Sequence, residues 1–140
     1  MTTSRRILGA VAAAGAAALL LSGCVAKSDV AAGAAFDVSS TDSECAVSGA
    51  TAKSGTLTFD VTNDSAQTSE FYLLADDGLR IVGEVENIAP SASRTLTVVA
   101  QPGTYFTLCK PGMIGEGVGK SEFTVTGDRV AVDGEDAEQK

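Results

Sequence analysis

The span from residue 101 to residue 113 combines two turn signals, a strand and two sulfur side chains. Pro102-Gly103 predicts a turn, and the β-branched and aromatic residues from Thr104 to Leu108 predict a strand that ends at Cys109. A second Pro-Gly pair then turns the chain again before Met113. A thiol and a thioether that leave one strand end together are soft donors, and this arrangement suits a soft metal ion.

The cysteines have two interpretations that the residues alone leave open. Cys45 and Cys109 are the two cysteines that remain if Cys24 carries a lipid. Outside the reducing cytosol they are expected to form a structural disulfide, which would stabilise a small domain by roughly 3–5 kcal/mol. Alternatively, both thiolates stay reduced and bind a metal ion.

Three glutamates are candidates for the rest of such a site. Glu70 opens a strand directly after the loop of residues 63–69, where a carboxylate can face one end of a sandwich. Glu84 and Glu86 share one face of a strand, so their carboxylates repel each other unless a cation or a basic side chain lies between them. They form a candidate second cation site. The plainer interpretation of all three is a solvated strand face.

Two residues of the sulfur-rich span also have structural interpretations. Met113 can fill a gap in the core, because its flexible thioether adapts to irregular spaces. Tyr105 follows the first Pro-Gly pair, and it is interpreted as a structural corner whose hydroxyl bonds to the backbone rather than as a redox residue.

The composition excludes several classes of site and partner. The chain of 140 residues contains no His, so it cannot build a Ser-His-Asp triad, a Cys-His pair or a His-ligated zinc or copper centre. No general base, nucleophile pair or cofactor loop is visible, and the protein is therefore predicted not to be an enzyme. Without Arg5 and Arg6 of the leader, 8 basic residues face 18 acidic ones, so nucleic acid is not an expected partner.

The first residues form an export and lipidation signal. A positive Ser4-Arg5-Arg6 segment precedes an Ala-rich apolar stretch at residues 7–21, and Leu21-Ser22-Gly23-Cys24 closes it. This pattern predicts a lipoprotein signal peptide over residues 1–23, with a lipid such as palmitate on Cys24 that holds the protein at the extracytoplasmic side of the cell membrane. The apolar stretch is short for a bilayer of about 30 Å, which argues against a transmembrane anchor.

Alternating apolar and polar residues predict about seven short strands after the leader, with turn signals every eight to twelve residues. The clearest strand covers residues 56–63, and Asp-Asp-Gly at residues 76–78 predicts a hairpin turn. The pattern indicates an all-β Greek-key β-sandwich at residues 35–127. A flexible tether at residues 24–34 precedes it, and an acidic, disordered tail at residues 128–140 follows it.

Several of these segments together resemble the cupredoxin-like domain of the Efe-type bacterial iron-uptake lipoproteins. The resemblance covers essentially all of the sandwich, and the segment of residues 84–90, with the pattern Glu-x-Glu-Asn-Ile-Ala-Pro, points to the iron-uptake branch. The other segments that carry the resemblance are Val61-Thr62-Asn63, Glu70-Phe71, Pro102-Gly103-Thr104-Tyr105, Cys109 and Pro111-Gly112-Met113.

The resemblance implies a cupredoxin-like lipoprotein that binds copper or iron and takes part in iron uptake with other components of an import system. It places Cys109 at the copper-binding cysteine of cupredoxins, Glu70 at the first histidine and Met113 near the second, and it adds Cys45 as a ligand. This mixed set excludes an ordinary blue-copper centre. Longer family members continue into a helical, peptidase-like domain with a His-x-x-Glu motif, which this protein is expected to lack.

The alternative function belongs to a different class. In it, the protein is a non-metal, immunoglobulin-like interaction lipoprotein whose Cys45–Cys109 pair is a structural disulfide and whose surface docks on other envelope proteins.

Overall fold

The structure is a computed structural model that describes residues 33–131. The signal peptide, the lipidation residue Cys24, nearly all of the tether and the tail from residue 132 lie outside the described residues. No helix in residues 33–131 is long and apolar enough to cross a membrane. The elements are a short 3₁₀ helix at Pro111–Met113 and nine strands: β1 (Ala34–Ser40), β2 (Cys45–Val47), β3 (Thr51–Lys53), β4 (Gly55–Asn63), β5 (Ser69–Leu74), β6 (Ile81–Ile88), β7 (Ser93–Ala100), β8 (Gly103–Cys109) and β9 (Val118–Thr126).

The strands form two sheets that pack face to face. One sheet has the order β2-β1-β4-β7, and the other has the order β3-β9-β8-β5-β6. The all-β sandwich predicted from the sequence is therefore confirmed. Two strand pairs, β1 with β4 and β3 with β9, are parallel. The β1–β4 pair is parallel because the chain crosses to the second sheet at β3 and then re-enters the first sheet as β4, which runs in the direction of β1.

The core lies between the sheets and is centred on aromatic rings. Leu57, Phe59 and Val61 of β4 are fully buried, as their alternation predicts. The ring of Phe59 stacks on Phe36 at 5.4 Å between centroids and meets Phe71 of the opposite sheet at 5.3 Å. Such contacts add about 0.5–1.5 kcal/mol each beyond the burial of the rings. The cluster therefore joins the two sheets at mid-length.

Strand β5 is buried along its whole length. Phe71 and Leu73 face the core, while Glu70, Tyr72 and Leu74 face the outer side of the five-stranded sheet. These three outward side chains are at most 8% exposed. A strand covered on both faces needs material above its outer face, and the segments after β5 and β8 provide it.

Two turns predicted from the sequence are present. At residues 76–78, Gly78 has φ 65°, which glycine adopts without strain. The carboxylate of Asp77 accepts hydrogen bonds from the N–H groups of Leu79 and Arg80, both at 2.8 Å. At the start of β8, the hydroxyl of Tyr105 donates to the carbonyl of Gln101 at 2.8 Å, which confirms the structural corner.

Candidate functional site

Cys45 and Cys109 are joined by a disulfide bond, with an S–S distance of 2.04 Å and their Cα atoms 5.3 Å apart. Cys45 opens β2 in the four-stranded sheet, and Cys109 ends β8 in the five-stranded sheet. The bond therefore ties the two sheets together. Both residues are buried, Cys109 completely. Of the two interpretations that the sequence leaves open, the structure has the disulfide.

Glu70 lies on the opposite face of its sheet from Cys109. The residue of β5 that pairs with Cys109 is Phe71. One step along, the backbones of Glu70 and Lys110 exchange two hydrogen bonds, of 3.3 and 2.8 Å. Because side chains alternate between the faces of a strand, Cys109 and Phe71 point into the core while Glu70 and Lys110 point outward. The sheet therefore separates the Glu70 carboxylate from the disulfide.

The Glu70 carboxylate already has a partner on the outer face. The hydroxyl of Tyr72 donates a hydrogen bond to Oε2 of Glu70, and Nζ of Lys110 lies 5.1 Å from the centroid of the Tyr72 ring. Burial raises the pKa of Tyr72 well above its usual value, and the hydrogen bond and charge of Glu70 raise it further. The phenol therefore keeps its proton and its donor role at neutral pH.

Met113 follows the end of β8, as predicted, and is partly buried in the 3₁₀ helix. The helix is attached to the loop before β5, because the N–H of Gly112 donates to the carbonyl of Thr68 at 2.8 Å. Gly112 and Met113 have φ values of 75° and 59°. The role of Met113 as a metal ligand stays a prediction.

Glu84 and Glu86 lie on β6, at the edge of the five-stranded sheet, and are exposed. Glu84 of β6 pairs with Tyr72 of the neighbouring strand β5. The guanidinium of Arg94 donates to the backbone carbonyl of Glu86 at 2.7 Å, so this contact does not neutralise the carboxylate. Residues 33–131 contain no group of three or more His, Cys, Asp or Glu that could hold a metal ion. The second cation site therefore also stays a prediction.

The expected ligand set does not fit a copper ion in this state of the molecule. The sulfur atoms of Cys45 and Cys109 are bonded to each other, and a metal ion binds the free thiolate. The Glu70 carboxylate is on the other face of the sheet. The four expected ligands, Cys45, Glu70, Cys109 and Met113, are thus not directed at one point while the disulfide is intact.

Asn63 closes the end of the sandwich beside the loop before β5. Its fully buried side chain donates to the carbonyls of Gln67 and Ile88, both at 2.7 Å, and accepts from the N–H of Ser65 at 2.9 Å. No buried side-chain N or O atom in the described part of the chain lacks a hydrogen-bond partner. This end is a satisfied polar network, whereas the sequence placed Asn63 only at a strand end and in a family-like segment.

A groove of about 490 Å³, the outer groove, crosses the outer face of the five-stranded sheet. Tyr72, Leu74 and Leu108 line it together with Ile81 and Leu79, and Leu79 is 79% exposed. Sequence reasoning missed this surface. The signal for it was present, because Tyr72 and Leu74 alternate with core residues and therefore predict a second apolar face on β5.

Two lysines border the outer groove. Nζ of Lys120 donates to the carbonyl of Gly78 at 2.9 Å and lies 5.2 Å from the centroid of the Phe106 ring. Lys110, over the Tyr72 ring, lines the same groove. The contacts of both ammonium groups are with uncharged groups. The outer groove thus combines an apolar floor with charged side chains of both signs, because Glu116 lines it together with Lys110 and Lys120.

Comparisons with known proteins identify the fold. No protein-family model and no curated protein matches the sequence. Among solved structures, dithionite-reduced auracyanin from the photosynthetic bacterium Roseiflexus castenholzii is similar, with 22% identity, a TM-score of 0.51, and coverage of 66% of this chain and 97% of that one. A multicopper oxidase has 18% identity and a TM-score of 0.46, over 65% of this chain and 41% of that one. The likeness to auracyanin shows that the fold is a cupredoxin-like β-sandwich.

Proposed function

We propose that this protein is a lipid-anchored, extracytoplasmic cupredoxin-like domain that works as a non-catalytic binding module held together by a disulfide. The observation that carries this proposal is the buried Cys45–Cys109 bond, which uses both thiols of the expected ligand set. The remaining carboxylate, Glu70, bonds to Tyr72 on the other face of the sheet. Both features favour the interaction lipoprotein over the metal-binding one.

The lipid anchor rests on the Leu21-Ser22-Gly23-Cys24 sequence and on the disulfide, since such bonds persist in oxidising compartments. Metabolic labelling with a palmitate analogue should label the wild-type chain, and Cys24→Ala should lose the label and leave the membrane fraction. A Cys24→Ala chain that stays labelled and membrane-bound would disprove the anchor.

The binding surface proposed for this module is the outer groove. Single exposed apolar residues are common on protein surfaces, but an exposed apolar residue beside an apolar groove marks a binding site more specifically. Leu79 and Ile81 are 79% and 49% exposed, and they adjoin the buried side chains of Tyr72 and Leu74. Burying this surface against a partner would be favourable.

A photo-crosslinking amino acid placed at Leu79 in the full chain tests this function in native membranes. The matched control is Val99, which is 46% exposed and lies on β7 of the other sheet. We expect protein crosslinks from position 79 that exceed those from position 99 at least fivefold. Equal crosslinking at the two positions would overturn the binding-module function.

A second candidate function is metal binding by the reduced protein in iron uptake. It is favoured by the disulfide itself, because reduction would leave two thiols side by side at the strand end that leads to Met113. The cupredoxin-like fold and the resemblance to the iron-uptake lipoproteins support this candidate. In it, Cys45 and Cys109 would supply soft thiolate donors to copper.

Titration of oxidised and reduced protein with Cu(I), Cu(II) and Fe(III) separates the two candidates. Metal binding at the two thiols predicts one ion per reduced chain. Cys109→Ser should weaken it, whereas Glu70→Gln should not, because the sheet separates Glu70 from the thiols. The matched control, Glu122→Gln, changes an exposed carboxylate on β9 and should have no effect. If the fully reduced protein binds none of the three ions, the metal-binding candidate is rejected.

A further inference from the structure

We propose that a low-molecular-weight thiol opens the disulfide in the folded protein by attacking Sγ of Cys45 rather than Sγ of Cys109. The thiol enters through the side recess, an opening between the two sheets. This recess is lined by Cys45 and Val47 of β2, by Ala50 of the following loop, and by Thr107, Ser121 and Phe123 of the five-stranded sheet. The inference goes beyond the proposed function and does not depend on which partner occupies the outer groove.

The side recess exists because both sheets stop short at this edge. Strand β3 pairs only with residues 124–126 of β9, and no other described strand lies beside residues 118–123 on that side. In the opposite sheet, the edge strand β2 is only three residues long. The sheets therefore do not close over each other here, and an opening of about 260 Å³ remains.

The exposure of residues on the inner face of β9 marks the same opening. Ser121 and Phe123 share this face because they are two residues apart on one strand. Phe123 is buried, and so is Thr107, which pairs with Ser121 from β8. Ser121 itself is exposed. Solvent therefore reaches the inner face of the five-stranded sheet beside Phe123.

The two halves of the disulfide differ in their access to the side recess. Cys45 lines the recess and is 8% exposed, whereas Cys109 is fully buried and lies outside the lining. Neighbouring strands enclose Cys109, which pairs with Phe71 of β5 on one side and with Val118 of β9 on the other. The rate of thiol–disulfide exchange depends on access to the sulfur that is attacked. Cys45 is therefore the half of the bond that a reagent in solution reaches.

The exchange is balanced in atoms and electrons. The incoming thiol loses its proton to the solvent, and its thiolate sulfur forms a bond to Sγ of Cys45. The bond between the two cysteines breaks, and its electron pair goes to Sγ of Cys109, which takes up a proton from the solvent. The products are a mixed disulfide on Cys45 and a free thiol on Cys109. A second thiol then attacks the sulfur of the bound reagent, which releases Cys45 as a thiol and leaves the reagent as its own disulfide.

The size of the side recess favours a small thiol over a protein. Cavities that hold drug-sized ligands measure about 300–1,000 Å³, and this recess, at about 260 Å³, is smaller. A protein dithiol such as thioredoxin would have to bring a cysteine on its own surface against a residue that is nearly buried. A reagent of a few heavy atoms, such as cysteamine, meets no such obstacle.

Opening the bond has a structural and a chemical consequence. It removes the covalent link between the two sheets, and it supplies the reduced protein that the metal-binding candidate requires. The side recess would then be the route by which that state is reached. The binding-module function requires no such opening, so failure of this proposal leaves that function intact.

Mapping the mixed disulfide tests the proposal in the full chain. The wild-type protein in mild detergent is treated briefly with cysteamine, quenched with acid and digested, and the modified peptides are quantified by mass spectrometry. We expect at least tenfold more adduct on Cys45 than on Cys109. Equal amounts on the two cysteines, an excess on Cys109, or no adduct would overturn the proposal.

The urea dependence of the rate shows whether the reaction occurs in the folded protein. Attack through the side recess should change less than twofold between 0 and 1 M urea. A reaction that requires unfolding should accelerate at least about fivefold over this range, because urea raises the unfolded population. Such an acceleration would refute attack on the folded state.

Filling the side recess provides a matched pair of variants. Ala50 lines the recess and is exposed, whereas Ala46 is exposed on β2 but lies on the outer face of its sheet. Ala50→Leu should slow the opening by cysteamine at least fivefold, and Ala46→Leu should stay within twofold of wild type. Equal rates in the two variants would refute the side recess as the route.

Two variants with one remaining thiol measure access without any closing of the bond. Cystamine, the disulfide of cysteamine, should modify Cys45 in the Cys109→Ala chain at least tenfold faster than Cys109 in the Cys45→Ala chain. Equal rates would overturn the preference for Cys45. Thioredoxin should open the wild-type bond no faster than cysteamine at equal thiol concentration, and faster opening would refute the small thiol as the reductant.

Discussion

Removing the Cys45–Cys109 bond is expected to cost the domain a large part of its stability. The bond joins the two sheets across a sequence separation of 64 residues. In the chain-entropy model, a loop of that length restricts the unfolded chain by about 14 cal/mol/K, which corresponds to about 4 kcal/mol at 25 °C. The total free energy of unfolding of a small domain is about 5–15 kcal/mol. The double variant Cys45→Ala, Cys109→Ala should therefore stay folded at 25 °C with little margin, and its Tm should fall by roughly 16–30 °C.

Urea unfolding followed by circular dichroism measures this difference. The curves to compare are those of the oxidised wild type, the wild type under reducing conditions, and the double alanine variant. The last two should agree within about 1 kcal/mol, because both lack the crosslink in the unfolded state. Glu44→Ala, an exposed change next to Cys45, is the control and should stay within about 0.5 kcal/mol of wild type. A loss below about 1 kcal/mol in the double variant would refute the stabilising role of the bond.

Three further changes test the surroundings of the site. Asn63→Leu removes four hydrogen bonds from a fully buried side chain and should lower the free energy of unfolding by about 3 kcal/mol, measured in urea. Tyr72→Phe leaves the Glu70 carboxylate without its phenol donor and should cost about 1–3 kcal/mol at pH 7. The pKa of Tyr72 is raised from 10.0 in the folded protein, so the stability of the wild type should decline as the pH rises above about 10. The stability of Tyr72→Phe should decline less. Unfolding curves between pH 7 and 11 measure this difference. Gly119→Ala would place a Cβ atom 2.6 Å from the Cβ atom of Cys45 and should lower the free energy of unfolding by about 2 kcal/mol or more. Gly55 also has a positive φ, but a Cβ atom there would have open space around it. Gly55→Ala should therefore lower the free energy of unfolding by only about 1 kcal/mol.

The strands that the sequence predicted well are those with regular alternation over many residues. Leu57, Phe59 and Val61 alternate with polar residues through β4, and all three are buried. The strands β2 and β3 were not predicted as separate elements, because three residues carry too little alternation to stand out from a loop. This omission mattered for the site, since β2 carries Cys45.

The site was harder to predict than the fold because it depends on pairing between distant strands. Alternation along β5 already predicts that Glu70 and Phe71 point to opposite faces of the sheet. Whether Glu70 or Phe71 shares a face with Cys109 depends on the register between β5 and β8. That register is set by the packing of both faces. The family resemblance placed Glu70 and Cys109 in one ligand set, whereas the register puts a sheet between them.

The number of free thiols in the full chain, recovered from membranes without reductant or chelator, distinguishes the disulfide-bonded binding module from a thiolate metal site. The protein is denatured and treated with an alkylating reagent, and its mass is measured by mass spectrometry. Bound copper and iron are measured in the same preparation. The binding-module account predicts no alkylation at Cys45 or Cys109 and far less than one metal ion per chain. Two alkylated thiols at these positions, together with one copper or iron ion per chain, would contradict it.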